Sequence, residues 1–119
     1  MNNEAARILL AEWQGWVKLL VPKNHPEYKF NHFIWEEPGY NGGEYSCPPN
    51  PHENANDCND LITFLNGLGI QVHILFASDA SIVTFIDVGS AKTLHAGEYN
   101  NWLHGVCELA VKIREREID

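Results

Sequence analysis

At 119 residues, 45% hydrophobic and 20% charged, the chain has the size and composition of one domain, residues 1–119, able to bury a core without a staple. Its three cysteines, Cys47, Cys58 and Cys107, are odd in number and irregularly spaced, which argues against a disulfide framework and for a reducing cytoplasm. The net charge of −8 argues against direct nucleic-acid binding, which needs clustered Lys and Arg.

The first predicted element is a helix. Asn2 or Asn3 caps it, Glu4 suits its positive end, and Ala6, Leu9, Leu10, Trp13 and Trp16 fall near one face, with Gly15 as the stop. WVKLLVP allows a short extended stretch, and YKFNHFIWEE alternates as a strand with Phe30, His32 and Ile34 on one side. PGYNGG is a hairpin-type turn leading to a short strand at residues 44–47. Pro48, Pro49 and Pro51 then forbid regular structure until Asn54 or Asn56 caps a second helix bearing Cys58, Leu61, Ile62, Leu65 and Leu68 at helical spacing. LNGLG closes that helix, and IQVHILFA and IVTFIDV follow as an antiparallel pair joined by SDAS. A long C-terminal helix is read from Tyr99, Trp102, Leu103, Val106, Cys107, Ala110 and Ile113.

The predicted order is α-β-β-α-β-β-α, with a small, mainly antiparallel sheet. The last two strands are apolar on both faces, so both faces want cover. An α/β/α three-layer sandwich of the α+β class satisfies this within one chain. A sheet covered on one side by helices and on the other by a second copy, a homodimer, is the alternative.

With this order, the sequence resembles the phage ABA sandwich family, small α/β/α domains of tailed bacteriophages and prophages. The likeness lies in EAARILLAEWQGW, where the family has a leucine-rich helix ending in Ala-Glu and Gly-Trp, in PPNP followed by NANDCNDLITFL, and in the closing helix. It spans nearly the whole chain and implies the sandwich fold and a phage origin, with no catalytic residues to carry over. The cysteines, the longer PGYNGGEYSC segment and the third helix depart from the family pattern, and a specialised role would lie there.

Cys47, His52 and Cys58 offer soft zinc ligands, but their spacing matches no knuckle and Cys58 reads as the first core position of the second helix, so no metal is assigned. Cys107 falls in the apolar row of its helix, and the acidic setting of Cys47 and Cys58 disfavours a thiolate nucleophile. Adjacent Glu36 and Glu37 on a strand point to opposite faces, the wrong geometry for a shared acid/base site. No phosphate-binding glycine loop is present in PGYNGG or NGLG, and no cofactor is expected. The chain reads as a non-enzyme.

Charge distribution is the strongest functional signal. From Phe30 to Ala91 there is no Lys or Arg, while Glu36, Glu37, Glu44, Glu53, Asp57, Asp60, Asp79 and Asp87 account for the whole imbalance. Such a stretch is either a solubilising surface or a recognition face. The recognition reading assigns the face to Trp35, Glu36, Glu37, Tyr40, Glu44, Tyr45, Glu53, Asp57 and Asp60. Trp35 enters it as the one tryptophan expected outside the core. The partner expected is a protein with a basic surface, for example a host defence component or a host enzyme whose groove normally holds phosphates. A small-ligand-sequestering or homo-oligomeric binding module is the alternative, and a small metal-dependent enzyme comes after it. No apolar run approaches the roughly 18 residues of a membrane span, and MNNEAARILLAEW lacks a basic n-region, so a soluble cytoplasmic protein is expected; the phage resemblance implies that the cytoplasm is a bacterial host's.

Overall fold

A computed structural model describes residues 2–29, 32–39 and 43–118, with the backbone alone for residues 27, 117 and 118. The class is α+β, with helices α1 (Asn3–Trp13), α2 (Ala55–Gly67) and α3 (Trp102–Ile118). Six strands run β1 (Val17–Leu20), β2 (Phe33–Glu36), β3 (Glu44–Tyr45), β4 (Ile70–Phe76), β5 (Ser81–Asp87) and β6 (Lys92–Tyr99). They form two separate antiparallel sheets, β1-β2-β3 and β4-β5-β6.

The helix ends follow local chemistry. The Asn2 side chain accepts from Ala5 N at 2.8 Å, and the Asn54 side chain accepts from Asp57 N at 3.1 Å. At the other end of α1, Trp16 N bonds Ala11 O and Gly15 N bonds Glu12 O, both at 3.0 Å, the paired bonds of a Schellman close, with Gly15 at φ 99°.

The core is a single cluster. Cys58, Leu61 and Leu65 of α2 and Val106, Cys107, Leu109 and Ala110 of α3 meet Val83 and Phe85 of β5, all fully or almost fully buried. Helix α1 packs on α3 through Ala6 and Leu10, so the helices form the cover of an α/β sandwich. Alternation along β5 sends Val83 and Phe85 to this cover and leaves Ile82 38% exposed on the outer face.

The element order departs from the expected α-β-β-α-β-β-α at two places. The β1-β2-β3 sheet has three strands, and the strand expected to hold Phe30 and His32 begins at Phe33, with His32 before it and Phe30 outside the described residues. The second departure is β6. KTLHAGEY is poor in strand-forming residues, and its pairing with β5 over the full length of both strands outweighs that propensity. Tyr99 accordingly ends β6, where it was expected to open the last helix. Its ring lies against the backbone of Gly97 and of Gly105 on α3; a Cβ at Gly105 would stand 2.6 Å from Tyr99 Cδ2 and 2.9 Å from Val83 Cγ2. Glycine lets α3 approach the sheet this closely.

The molecule measures 51 × 32 × 27 Å with a radius of gyration of 16.0 Å. A compact chain of this length has about 13.5 Å. The β1-β2-β3 sheet stands apart from the core cluster, which contains none of its residues.

Candidate functional site

Between the small sheet and the helices lies a cleft of about 840 Å³, and its walls come from three places in the sequence. Arg7 of α1, Gln14 at its C-cap and Trp16 form one side, residues 47–60 another, and Glu37, Pro38 and Tyr45 the third. The Schellman close of α1 turns the chain so that Trp16 meets Tyr45, ring centroids 5.5 Å apart. Pro38 packs against the same turn, where a Cβ on Gly15 would lie 3.1 Å from Pro38 Cβ.

Arg7 holds the proline segment. Its Nη2 donates to Pro48 O at 2.6 Å and its Nε to Pro49 O at 3.1 Å, while Nη1 stands 3.8 Å from Glu4 Oε2. A proline carbonyl keeps its acceptor but has no N–H to offer a neighbouring strand, so a cationic side chain is the natural anchor here. The turn that follows is stitched by Asn50: its N–H donates to Asp57 Oδ2 at 2.8 Å, its O accepts from Asn54 N at 2.9 Å, and its Nδ2 donates to Glu53 Oε2 at 3.3 Å. These bonds place Glu53 and Asp57 on the cleft beside Asp60.

Four carboxylates, Glu37, Glu53, Asp57 and Asp60, therefore line one concavity together with Trp16, Tyr45 and Phe64. Arg7 is the sole Lys or Arg among the lining residues, and its guanidinium is engaged by the two proline carbonyls. Tyr45 OH donates to Glu37 Oε2 at 3.2 Å, and that bond, followed by the carboxylate's charge, raises the phenol above its ordinary range.

Of the residues expected on a recognition face, Glu37, Tyr45, Glu53, Asp57 and Asp60 converge on this cleft. Glu36 and Glu44 do not. They are direct partners across β2 and β3, both exposed, and strand alternation puts them on the face opposite Tyr45. Trp35 is a correction: it is 4% exposed, set in register between Lys18 and Tyr45 on the central strand, so its ring belongs to the interior of the small sheet. Tyr40 lies outside the described residues. Trp16, Phe64 and Arg7 were not expected at the site. Trp16 reads as a core residue from its helical spacing, and only the Gly15 turn signals that the chain has already left the helix.

The three soft ligands considered for zinc stand in different settings. Cys47 is exposed on the cleft, Cys58 is buried in α2, and His52 faces His104 with ring centroids 5.6 Å apart at 83°. Among the described residues no group of three or more His, Cys, Asp or Glu is arranged to hold a metal ion. Cys107 lies beside Cys58; their hydrogen bond and then burial push its thiol far upward, so it stays protonated.

His52, 6% exposed with no hydrogen-bond partner for Nδ1 among the described residues, lines a second cavity of about 370 Å³ with Asn3, His104 and Glu108. Burial, then the proximity of His104, lowers its pKa, with Arg7 adding to the effect and Glu53 opposing it. Among the described residues no helix is long and apolar enough to cross a membrane. No protein-family model, no curated protein and no solved structure matches the chain.

Proposed function

We propose that the chain is a non-enzymatic binding protein whose acidic cleft receives a Lys- or Arg-bearing segment of a protein partner. The observation that carries this is the convergence of Glu37, Glu53, Asp57 and Asp60 around the Trp16–Tyr45 pair. A cationic side chain entering there meets carboxylates on several sides and an aromatic face for its stem. Where two of the four carboxylates are held by Asn50, they are already ordered before a partner arrives, which lowers the entropic cost of recognition.

The setting follows from the resemblance to phage ABA sandwich proteins: an accessory protein in the bacterial cytoplasm, acting on a host component, with antagonism of a defence protein or of a nucleic-acid-binding host enzyme as the concrete form. Carboxylates presented to a basic groove occupy the place of phosphates there.

The test is capture from a bacterial lysate beside a Glu37→Lys, Asp60→Lys variant, with each captured partner titrated at low and high salt. Capture by the wild type alone, weakening steeply with salt, is expected. Equal capture by both forms removes the cleft from the reading. A second reading, a small-ligand-sequestering module, draws on the cavity beside His52 and His104. Native mass spectrometry of freshly purified protein separates the two: a co-purifying small molecule favours the second, a bare mass the first.

A further inference from the structure

We infer that the outer edge of β4 is a homodimer seam, at which two copies pair their Ile70–Phe76 strands antiparallel about a twofold axis at His73. The pairing would merge two three-stranded sheets into one of six strands, each half keeping its own helical cover.

The starting observation is an open edge. β4 pairs with β5 on one side, and among the described residues no strand pairs with its other side. A seven-residue extended strand presents a row of backbone donors and acceptors there, a template on which another strand can pair.

The two edges of this sheet are treated differently by the sequence. β6 carries Lys92, Gly97 and Glu98, and the register between β5 and β6 shifts at Phe85/Ile86. Charges, glycine and irregularity are the usual means of blunting an edge. IQVHILF has none of them: no Lys, Arg, Asp, Glu, Pro or Gly. Its apolar end is also uncovered, with Leu75 64% and Phe76 65% exposed, and Leu68 beside the opposite end 48% exposed.

The choice of a second copy as occupant comes from the strand's own symmetry. Antiparallel pairing centred on His73 sets Ile70 against the partner's Phe76, Gln71 against the partner's Leu75 and Val72 against the partner's Ile74. Every inward residue then meets an inward residue, and the exposed Phe76 of each copy falls next to Ile70 and Leu68 of the other copy's opposite end. Charge agrees. Two chains of net −8 repel over most of their surfaces, and this strip is neutral. The outer face of the same sheet also exposes Leu75 and Ile82, but Gln71, His73, Thr84 and Glu98 interrupt them, and such a mixed face suits the wet side that an antiparallel sheet tolerates.

A strand of this length spans about 23 Å. The seam is therefore small, and a dissociation constant on the order of micromolar is expected.

The experiment is sedimentation equilibrium of the full chain from about 1 µM to about 200 µM, joined to amide hydrogen exchange at both ends of that range. A concentration-dependent dimer with added protection at 70–76 is expected. His73→Lys, at an exposed position, places two fixed positive charges opposite each other and should raise the dissociation constant about tenfold or more. Ala96→Lys, on the outer face away from the edge, should leave it unchanged. Thermal melts of each variant when dilute establish that the monomer folds. A monomer at every concentration, a dimer indifferent to His73→Lys, a dimer lost in Ala96→Lys, or added protection confined to other strands each overturns the inference.

Discussion

Replacing Gly105 by Ala tests the closest approach in the core. Taken as a helix-interior change alone, Gly→Ala should stabilise α3 by about 1 kcal/mol. The structure opposes this gain: the new methyl would lie 2.6 Å from Tyr99 Cδ2, 2.9 Å from Tyr99 Cγ and 2.9 Å from Val83 Cγ2. Val83 is fully buried in β5, and the Tyr99 ring is wedged between Gly97 and Gly105, so relief requires α3 to lift or the ring to leave. Overpacking of this kind costs about 1–3 kcal/mol, and because all three contacts fall below 3 Å the upper half of that range applies. The net expectation is a loss of about 1–2 kcal/mol, or a fall in Tm of roughly 4–10 °C. Urea and thermal unfolding by circular dichroism measure it. Gly67→Ala in α2 supplies the control, since a Cβ there meets nothing within 4 Å and should stabilise by about 0.5–1 kcal/mol. A Gly105→Ala protein as stable as Gly67→Ala, or more so, would refute the packing of α3 on β6.

Two further predictions concern the cleft wall and the histidines His52 and His95. Arg7→Met keeps much of the stem but strands the Pro48 and Pro49 carbonyls; because the site is only partly buried, a loss of about 1–2 kcal/mol is expected, with faster amide exchange at 50–54. Unchanged exchange would dissociate Arg7 from the wall. His52 and His95 both have lowered pKa values, burial being the first cause in each, with His104 next for His52 and Arg116 and Lys112 next for His95. The unfolded chain then binds more protons than the folded one, so their contribution to stability is complete above the unfolded value of about 6.5 and declines as pH falls below it. Urea midpoints should drop between pH 7.5 and pH 5.5, by a smaller margin in His52→Gln; equal drops in both proteins would rule out His52 as a source.

Local signals carried the helices well. Asn54 was readable as a cap because an Asn before an Asp-bearing first turn satisfies helix N–H groups whatever surrounds it, and Cys58 followed as the first inward position. β6 was not readable, because its partner β5, rather than its own Ala, Gly, His and Glu, makes it a strand. The site divides along the same line. The carboxylates of residues 53–60 announced themselves by composition, and the Asn50 bonds explain why they share a wall. Trp35 misled, since a neighbouring pair of glutamates says nothing of which way a central strand turns its tryptophan. His52 and His104 are far apart in sequence, and no spacing rule brings such a pair together.

The Glu36–Glu44 pairing has a consequence for the small sheet itself. Like charges opposite each other across neighbouring strands oppose the pairing that holds β3 to β2, and β3 is only two residues long. Neutralising either glutamate, or raising the ionic strength, should tighten that pairing, and the same strand carries Tyr45 at the mouth of the cleft. The Glu36–Glu44 repulsion is thus a small, salt-screened load on β3, and the position of Tyr45 at the cleft is expected to respond to ionic strength before any partner arrives.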